Sequence, residues 1–249
     1  MIILRNKKAA KDQLANIDFF KKNFSKKYRL LRGEKNFENL KRRELYNLGW
    51  RSTIEKIIKH GRIESSSNVL EVGCGYGRVI IGLKYYFPIL NIKGIDITED
   101  AISICKYILK KEGFNNNVEL KVATSENMPY SSETFDAAVF VRVFQYLFDP
   151  IASLVECKRT LKNNGRIVII IPNILNPKQY LFYKTKLYSL HILKNWLSDI
   201  GYSDILCETY RYLPLNLNYN SLCNKFEILF SKMPIINLFG GLIVISGRK

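Results

Sequence analysis

Three glycines at alternate positions, Gly73, Gly75 and Gly77, close an apolar run that carries a single acid, Glu71. A second acid, Asp96, ends the next apolar run nineteen residues beyond Gly77. Glycines let a sharply bent backbone press against a ligand with no side chain between them, and a helix that begins at the turn presents its positive end there. A carboxylate at the close of the second strand of such a unit is placed to grip the two hydroxyls of a ribose. The chemistry these residues can perform is recognition of a nucleoside-containing cofactor by a βαβ unit.

Other residue types add little chemistry of their own. The five cysteines, Cys74, Cys105, Cys157, Cys207 and Cys223, are an odd number without C-x-x-C or Cys/His clustering, which argues against a zinc site and against a disulfide framework. Cys74 lies within the glycine turn, where a small side chain is what the position requires. His60 reads as a surface histidine at a helix end, and His191 as the one histidine near a segment able to cap a site. Neither belongs to a metal-ligand pattern, and no metal is expected.

The elements that must position these residues follow from the hydrophobic period. Leu40, Leu45, Leu48, Ile54, Ile57 and Ile58 recur at near-helical spacing up to Gly61, a residue suited to the left-handed position after a helix. Strands are expected at 68–72, 92–97, 118–123 and 135–141, with helices after the first two, an alternation that fits a parallel sheet. Thr98 can cap the second of these helices, with Ile102, Cys105, Ile108 and Leu109 on its inner face. Asp149-Pro150 supplies an N-cap and a first-turn proline for the next helix. Strands at 166–171, 204–211 and 241–246 complete the sheet, with a helix to about Leu197 closed by Gly201.

At 249 residues and 47% hydrophobic the chain can bury one large core. The expected organisation is a basic helical N-terminal arm or cap over 1–60, then one domain over 61–249 with a cap insertion at about 176–190. No apolar run approaches the roughly 20 residues that span a bilayer, Met233 to Ser246 being broken by Asn237 and Gly240-Gly241. The start of the chain lacks the charge order of a secretory signal, so the protein reads as soluble and cytoplasmic. The net charge of +17 is uneven: residues 1–60 hold 17 Lys/Arg against 6 Asp/Glu. Such an arm can attract nucleic acid, anionic lipid or an acidic metabolite, while a general lysine bias accounts for it without any partner. No feature specifies an oligomeric state.

An acid after strand two is shared by nicotinamide and S-adenosyl-L-methionine (SAM) binders. The dinucleotide fingerprint G-x-G-x-x-G would need a glycine at position 78, where this chain has Arg78. The stretch Val69 to Gly77 resembles motif I of the class I SAM-dependent methyltransferases, and Gly94-Ile95-Asp96-Ile97-Thr98 resembles their ribose-binding strand end. Ala123 to Tyr130 with Phe135-Asp136, then Gln145 to Pro150, then Arg159 to Arg166 resemble the family's adenine-side loop and fourth strand, post-strand-four segment and turn into strand five. The ordered set spans about residues 66–172 and is closest to the small-molecule branch typified by quinone-biosynthesis methyltransferases.

That resemblance implies an α/β, Rossmann-like sheet of seven strands, mostly parallel, with helices on both faces and the last strand antiparallel. It implies methyl transfer from SAM to a small-molecule acceptor through an oxygen, nitrogen or carbon nucleophile, leaving S-adenosyl-L-homocysteine. The backbone of Gly73, Cys74 and Gly75, with Glu71 behind it, would receive the methionine end. Asp96 would bind the ribose, Ile97 would pack on the adenine, and Thr124, Ser125 and Glu126 would line its edge. Arg142 would join the cofactor side, with an ion pair or structural hydrogen bond as its other reading. Gln145 and Tyr146 would face substrate, Tyr146 and His191 being the weak candidates for a catalytic role. The chain departs from the family at Thr124, where many relatives have an aspartate, and at Gln145-Tyr146, where a histidine pair is frequent. Two other readings carry less support: an RNA methyltransferase gripping substrate with the basic arm, and a SAM-binding protein without turnover.

Overall fold

The computed structural model describes residues 48–114, 116–177, 187–212, 221–233 and 235–249. The arm before Leu48 and most of the expected insertion lie outside the described residues. The described chain runs α1 (Leu48–Gly61), β1 (Asn68–Val72), α2 (Arg78–Tyr86), β2 (Asn91–Asp96), α3 (Glu99–Glu112), β3 (Val118–Val122) and β4 (Phe135–Val141). It continues through α4 (Pro150–Thr160), β5 (Leu161–Pro172), α5 (Leu190–Asp199), β6 (Ser203–Tyr210), α6 (Ser221–Lys232) and β7 (Leu242–Arg248). The strands form one seven-stranded sheet in the order β3-β2-β1-β4-β5-β7-β6. Strands β1 to β5 pair in parallel, and β7 runs antiparallel between β5 and β6.

The central strands are apolar along their length because helices cover both faces. On one face α1, α2 and α3 bring Trp50, Ile54, Ile57, Ile80, Leu83 and Ile108 against Val69, Val139 and Val168. On the other α4 and α5 bring Leu154, Cys157, Leu193 and Leu197 against Leu70, Phe140 and Ile169. Gly82 makes the α1–α2 contact possible, since a methyl group there would lie 2.5 Å from Ile54. Trp50 is thereby drawn over the first residue of α2. Residues 48–60, read from the sequence as the end of the arm, thus lie within the same core as the sheet. The strand order reverses direction between β1 and β4, and open α/β sheets bind ligands in the crevice beyond the carboxyl ends of the strands at such a point.

Several local expectations are corrected. The left-handed residue after α1 is Arg62, at φ 49°, and not Gly61. Gly61 is glycine for space: its absent Cβ would approach Ile63 to 3.0 Å and Val168 to 3.4 Å. No element was expected between 211 and 241, yet α6 and a 3-10 turn, Ile236–Phe239, occupy part of that stretch. Apolar side chains on the outer face of α6 blur its period, which is why the pattern hides it.

His60 is buried rather than a surface residue. Its Nδ1 lies 3.0 Å from Ser246 Oγ in β7 and its Nε2 2.8 Å from Glu208 Oε1 in β6. Arg166, also buried, donates to the His60 carbonyl at 2.9 Å and pairs with Asp204 at 2.7 Å. Together these contacts tie the end of α1 to three strands at the edge opposite the crevice. Burial pushes the Glu208 carboxyl upward, but hydrogen bonds from His60 and Lys56 outweigh it and hold the group at about 2. A carboxylate depressed on folding stabilises above its unfolded value and loses that contribution as pH falls through the folded one. Glu208→Gln should therefore lower the melting temperature near neutral pH by several degrees, from about 2–3 kcal/mol. It should also flatten the acid-side decline between pH ~5 and ~2, and thermal melts across that range check both effects.

Candidate active site

The glycine turn is built by positive backbone angles and by bonds to the neighbouring strand. Gly73, Gly75 and Gly77 adopt φ of 71°, 54° and 85°, a region open to glycine. The amides of Gly73 and Cys74 both donate to the Ile95 carbonyl, at 2.8 and 2.9 Å. The Gly75 amide then donates to Asp96 Oδ2 at 2.9 Å, while the other oxygen of Asp96 accepts from Thr98 N at 3.0 Å and Thr98 Oγ1 at 2.9 Å. Thr98 stands at the N-cap position of α3 as expected, but its hydroxyl turns to Asp96 and caps nothing. Burial raises the Asp96 pKa despite the bonds from Thr98 and Gly75, so the carboxylate is held in a partly dehydrated setting.

Beyond this turn lies a cavity of about 350 Å³, open to solvent at the carboxyl ends of β1, β2 and β4. Glu71, Gly73, Cys74, Gly75, Asp96, Ile97, Thr124, Ser125, Glu126, Arg142, Gln145 and Tyr146 all line it. His191 does not: it is exposed on α5, with Nε2 3.2 Å from Asn195. Ser125 spends its hydroxyl on Ser153 of α4 at 2.7 Å, leaving its backbone to the cavity. Cys74 packs inward beside Cys105, and their contact together with burial holds its thiol well above the usual range. It is therefore a small packing residue and not a nucleophile.

Sequence reasoning missed the far wall. Trp50, Arg78, Val143, Leu147 and Phe148 also line the cavity. The Arg78 guanidinium stacks 4.1 Å from the Trp50 ring centroid, and Trp50 Nε1 donates to the Arg78 carbonyl at 3.3 Å. Arg78, noted only for occupying the missing glycine position, thus joins the rim to α1. Nothing in the local pattern marks Trp50, since it reaches the site only through the α1–α2 packing.

Two side chains within the cavity wall are buried with unused hydrogen-bonding atoms. Oε2 of Glu71 has no partner among the described residues, and burial pushes its pKa well up, with Cys105 and Asp96 adding to the rise. Gln145 is 4% exposed, and neither its amide oxygen nor its nitrogen has a partner among the described residues. Each unsatisfied buried group of this kind costs about 1–3 kcal/mol, which a protein tolerates most readily where a ligand supplies the missing partner.

Residues 63–207 match the family model described as a methyltransferase domain. The chain belongs to this family of class I SAM-dependent methyltransferases. Among curated relatives, the ubiquinone/menaquinone biosynthesis C-methyltransferase UbiE of Citrifermentans bemidjiense is 32% identical over 158 residues, covering 63% of this chain and 65% of its own. The demethylmenaquinone methyltransferase of Thermotoga maritima is 32% identical over 152 residues, 61% of each chain. This methyltransferase chain therefore spans just under two-thirds of the length of those relatives. Among solved structures, a SAM-dependent methyltransferase from Thermotoga maritima, titled a possible histamine N-methyltransferase, superposes with a TM-score of 0.61 at 21% identity over 89% of this chain and 99% of that one. That likeness establishes the shared fold.

The methyltransferase turn makes one demand that can be tested without any ligand. A Cβ on Gly73 would lie 2.3 Å from Val143 Cγ2, and its φ of 71° already disfavours a side chain. Gly73→Ala should lower the melting temperature by several degrees through a strain of about 1–3 kcal/mol, with recovery in the Gly73→Ala/Val143→Ala pair limited to the steric part.

Proposed function

We propose that the protein transfers a methyl group from SAM to an uncharged, ring-bearing small-molecule acceptor bound in this cavity, at a carbon, nitrogen or oxygen nucleophile. The observation that carries the acceptor side is Gln145, a buried neutral amide whose donor and acceptor have no partner among the described residues, beside Val143, Tyr146, Leu147 and Phe148 in the lining. A charged acceptor would bear the cost of dehydration on burial beside that neutral amide. A ring with oxygen substituents satisfies both amide atoms while its faces pack on Val143, Tyr146, Leu147 and Phe148. Quinone-directed names among the relatives agree with that class.

On the cofactor side the residues present fit SAM. The orphaned Glu71 oxygen stands behind the glycine turn, where the ammonium end of the methionine moiety would lie, and the turn is closed to any side chain at Gly73. Asp96 is already braced by Gly75 and Thr98 and keeps lone pairs for ribose hydroxyls. Ile97 offers an apolar surface to adenine, and Thr124 an uncharged acceptor where relatives carry an aspartate. SAM supplies the electrophilic methyl group when bound. The protein's task is to hold the acceptor in line and to exclude water, and such positioning can supply several kcal/mol. No histidine lines the cavity among the described residues, so a histidine base has no part in this reading.

Incubation of the protein with methyl-labelled SAM and a fractionated cell extract tests the acceptor class. Label recovered in an organic-extractable, non-polymeric product supports it, and label recovered solely in RNA sinks it. Asp96→Ala should weaken SAM roughly tenfold to several hundredfold in calorimetry, given about 1.5–3 kcal/mol per hydrogen bond to a charged group. The fold should survive. Gln145→Leu should leave SAM affinity within about twofold and raise or preserve the melting temperature, because an unsatisfied buried amide is removed. Turnover of the labelled acceptor should fall by at least roughly tenfold, for a lost pair of hydrogen bonds at about 0.5–1.5 kcal/mol each.

A further inference from the structure

The apolar face of α6 points outward. Phe226, Ile228 and Leu229 on the helix, then Ile235, Leu238 and Phe239 after it, are 43% to 74% exposed. This face does not arise from a detached helix. Glu227 Oε2 accepts from the amides of Arg211 and Tyr212 at 2.9 and 3.1 Å, pinning α6 to the end of β6. Asn173, buried just past β5, donates to the carbonyls of Leu238 and Gly240 at 2.8 and 2.7 Å. Those bonds fix the 3-10 turn at the carboxyl end of β5, on the same rim of the sheet as the cavity.

The exposed charges of α6 are both lysines. Lys225 and Lys232 are exposed and lie seven residues apart, bracketing Ile228 and Leu229 on one side of the helix. Between α1 and α6 runs a groove of about 530 Å³ with Arg51, Lys56 and Lys59 on one wall and Ile228 and Ser231 on the other. Its acids are accounted for: Glu55 pairs with Arg51, Glu227 receives the two amides, and Glu208 nearby is shared by Lys56, Lys59 and His60. From Arg211 to Lys249 the chain carries five Lys/Arg and one acid, Glu227, within an overall charge of +17. Trp50, which lines the cavity, directly precedes Arg51, which lines the groove. The groove and the cavity thus border neighbouring residues of α1.

We propose that this face docks the protein on an anionic lipid bilayer, with the apolar side chains of α6 and the following turn entering the headgroup boundary and Lys225 and Lys232 meeting acidic headgroups. Lysines bracketing large apolar residues form the pattern of helices that lie in a membrane interface. A protein partner would be matched by an apolar surface depleted in lysine, which this face is not. Docking in this orientation brings the cavity rim toward the bilayer, the phase from which an apolar ring compound would be drawn. The docking stands on the surface alone and does not require the acceptor to be identified.

The test is sedimentation of the full chain with vesicles of phosphatidylcholine alone and of equimolar phosphatidylcholine and phosphatidylglycerol. The wild type should sediment with the anionic vesicles, and raising the salt should release part of it. Ile228→Glu/Leu229→Glu, at exposed positions, should lower partition at least roughly tenfold. Lys225→Ala and Lys232→Ala should each lower it about fivefold, from about 1 kcal/mol per basic residue. Unchanged circular dichroism certifies the variants, and SAM calorimetry run in parallel separates failure of docking from failure of the methyltransferase reading. The proposal is overturned if the wild type stays in solution with anionic vesicles, or if the double variant sediments equally, which would move lipid binding to the basic arm. It is also overturned if light scattering finds a wild-type dimer that the double variant abolishes without vesicle binding, since a second copy would then cover the face.

Discussion

The hydrogen bond from the Gly75 amide to Asp96 is the constraint on which the rest of the site depends. It joins the turn after β1 to the end of β2, while the Thr98 bonds lock the other carboxylate oxygen and the Ile95 carbonyl holds Gly73 and Cys74. The floor of the cavity is thus a set of backbone amides already paired, two to the Ile95 carbonyl and one to Asp96. A ligand that engages Asp96 meets a carboxylate that needs no reorganisation, the condition under which hydrogen bonds contribute most to binding. The dehydration that raises the Asp96 pKa accompanies this arrangement, and the bonds from Thr98 and Gly75 sustain the group in it.

Buried polar groups divide this molecule into two functional ends. At the edge opposite the cavity, His60, Glu208, Arg166 and Asp204 are mutually satisfied and clamp α1 to β5, β6 and β7. Around the cavity, Glu71 and Gln145 are buried with atoms left unpaired. Satisfied networks rigidify a fold, whereas unsatisfied groups store a cost that binding can release. The first end stabilises the sheet that presents the second. Trp50 and Arg78 connect the two, since α1 runs from the clamp at His60 to the stack above the cavity.

How far the site could be read in advance depended on how local its signals are. The glycine turn, Glu71 and Asp96 carry signals confined to a few residues each, because the ligand side of a βαβ unit is formed by consecutive backbone. Gln145 and Tyr146 were found because they lie just beyond the carboxyl end of a strand. Trp50 escaped notice because it enters the cavity by packing across Gly82, and His60 was misplaced because its partners lie nearly 150 residues or more away in β6 and β7. Thr98 shows the same effect on a smaller scale: its residue type marks a helix cap, but Asp96 offers its hydroxyl a charged acceptor two residues away, and a hydrogen bond to a charged group is the stronger one.

The sequence by itself determined the strand and helix alternation, the glycine turn with its distant acid, and the family these define, since each arises from hydrophobic period or from backbone freedom at named positions. The tertiary structure alone decided which polar atoms remain unpaired in the cavity, which histidine is buried, and that α6 turns its apolar face to solvent. Those properties depend on what lies across space from a side chain, and no spacing along the chain encodes the identity of that neighbour.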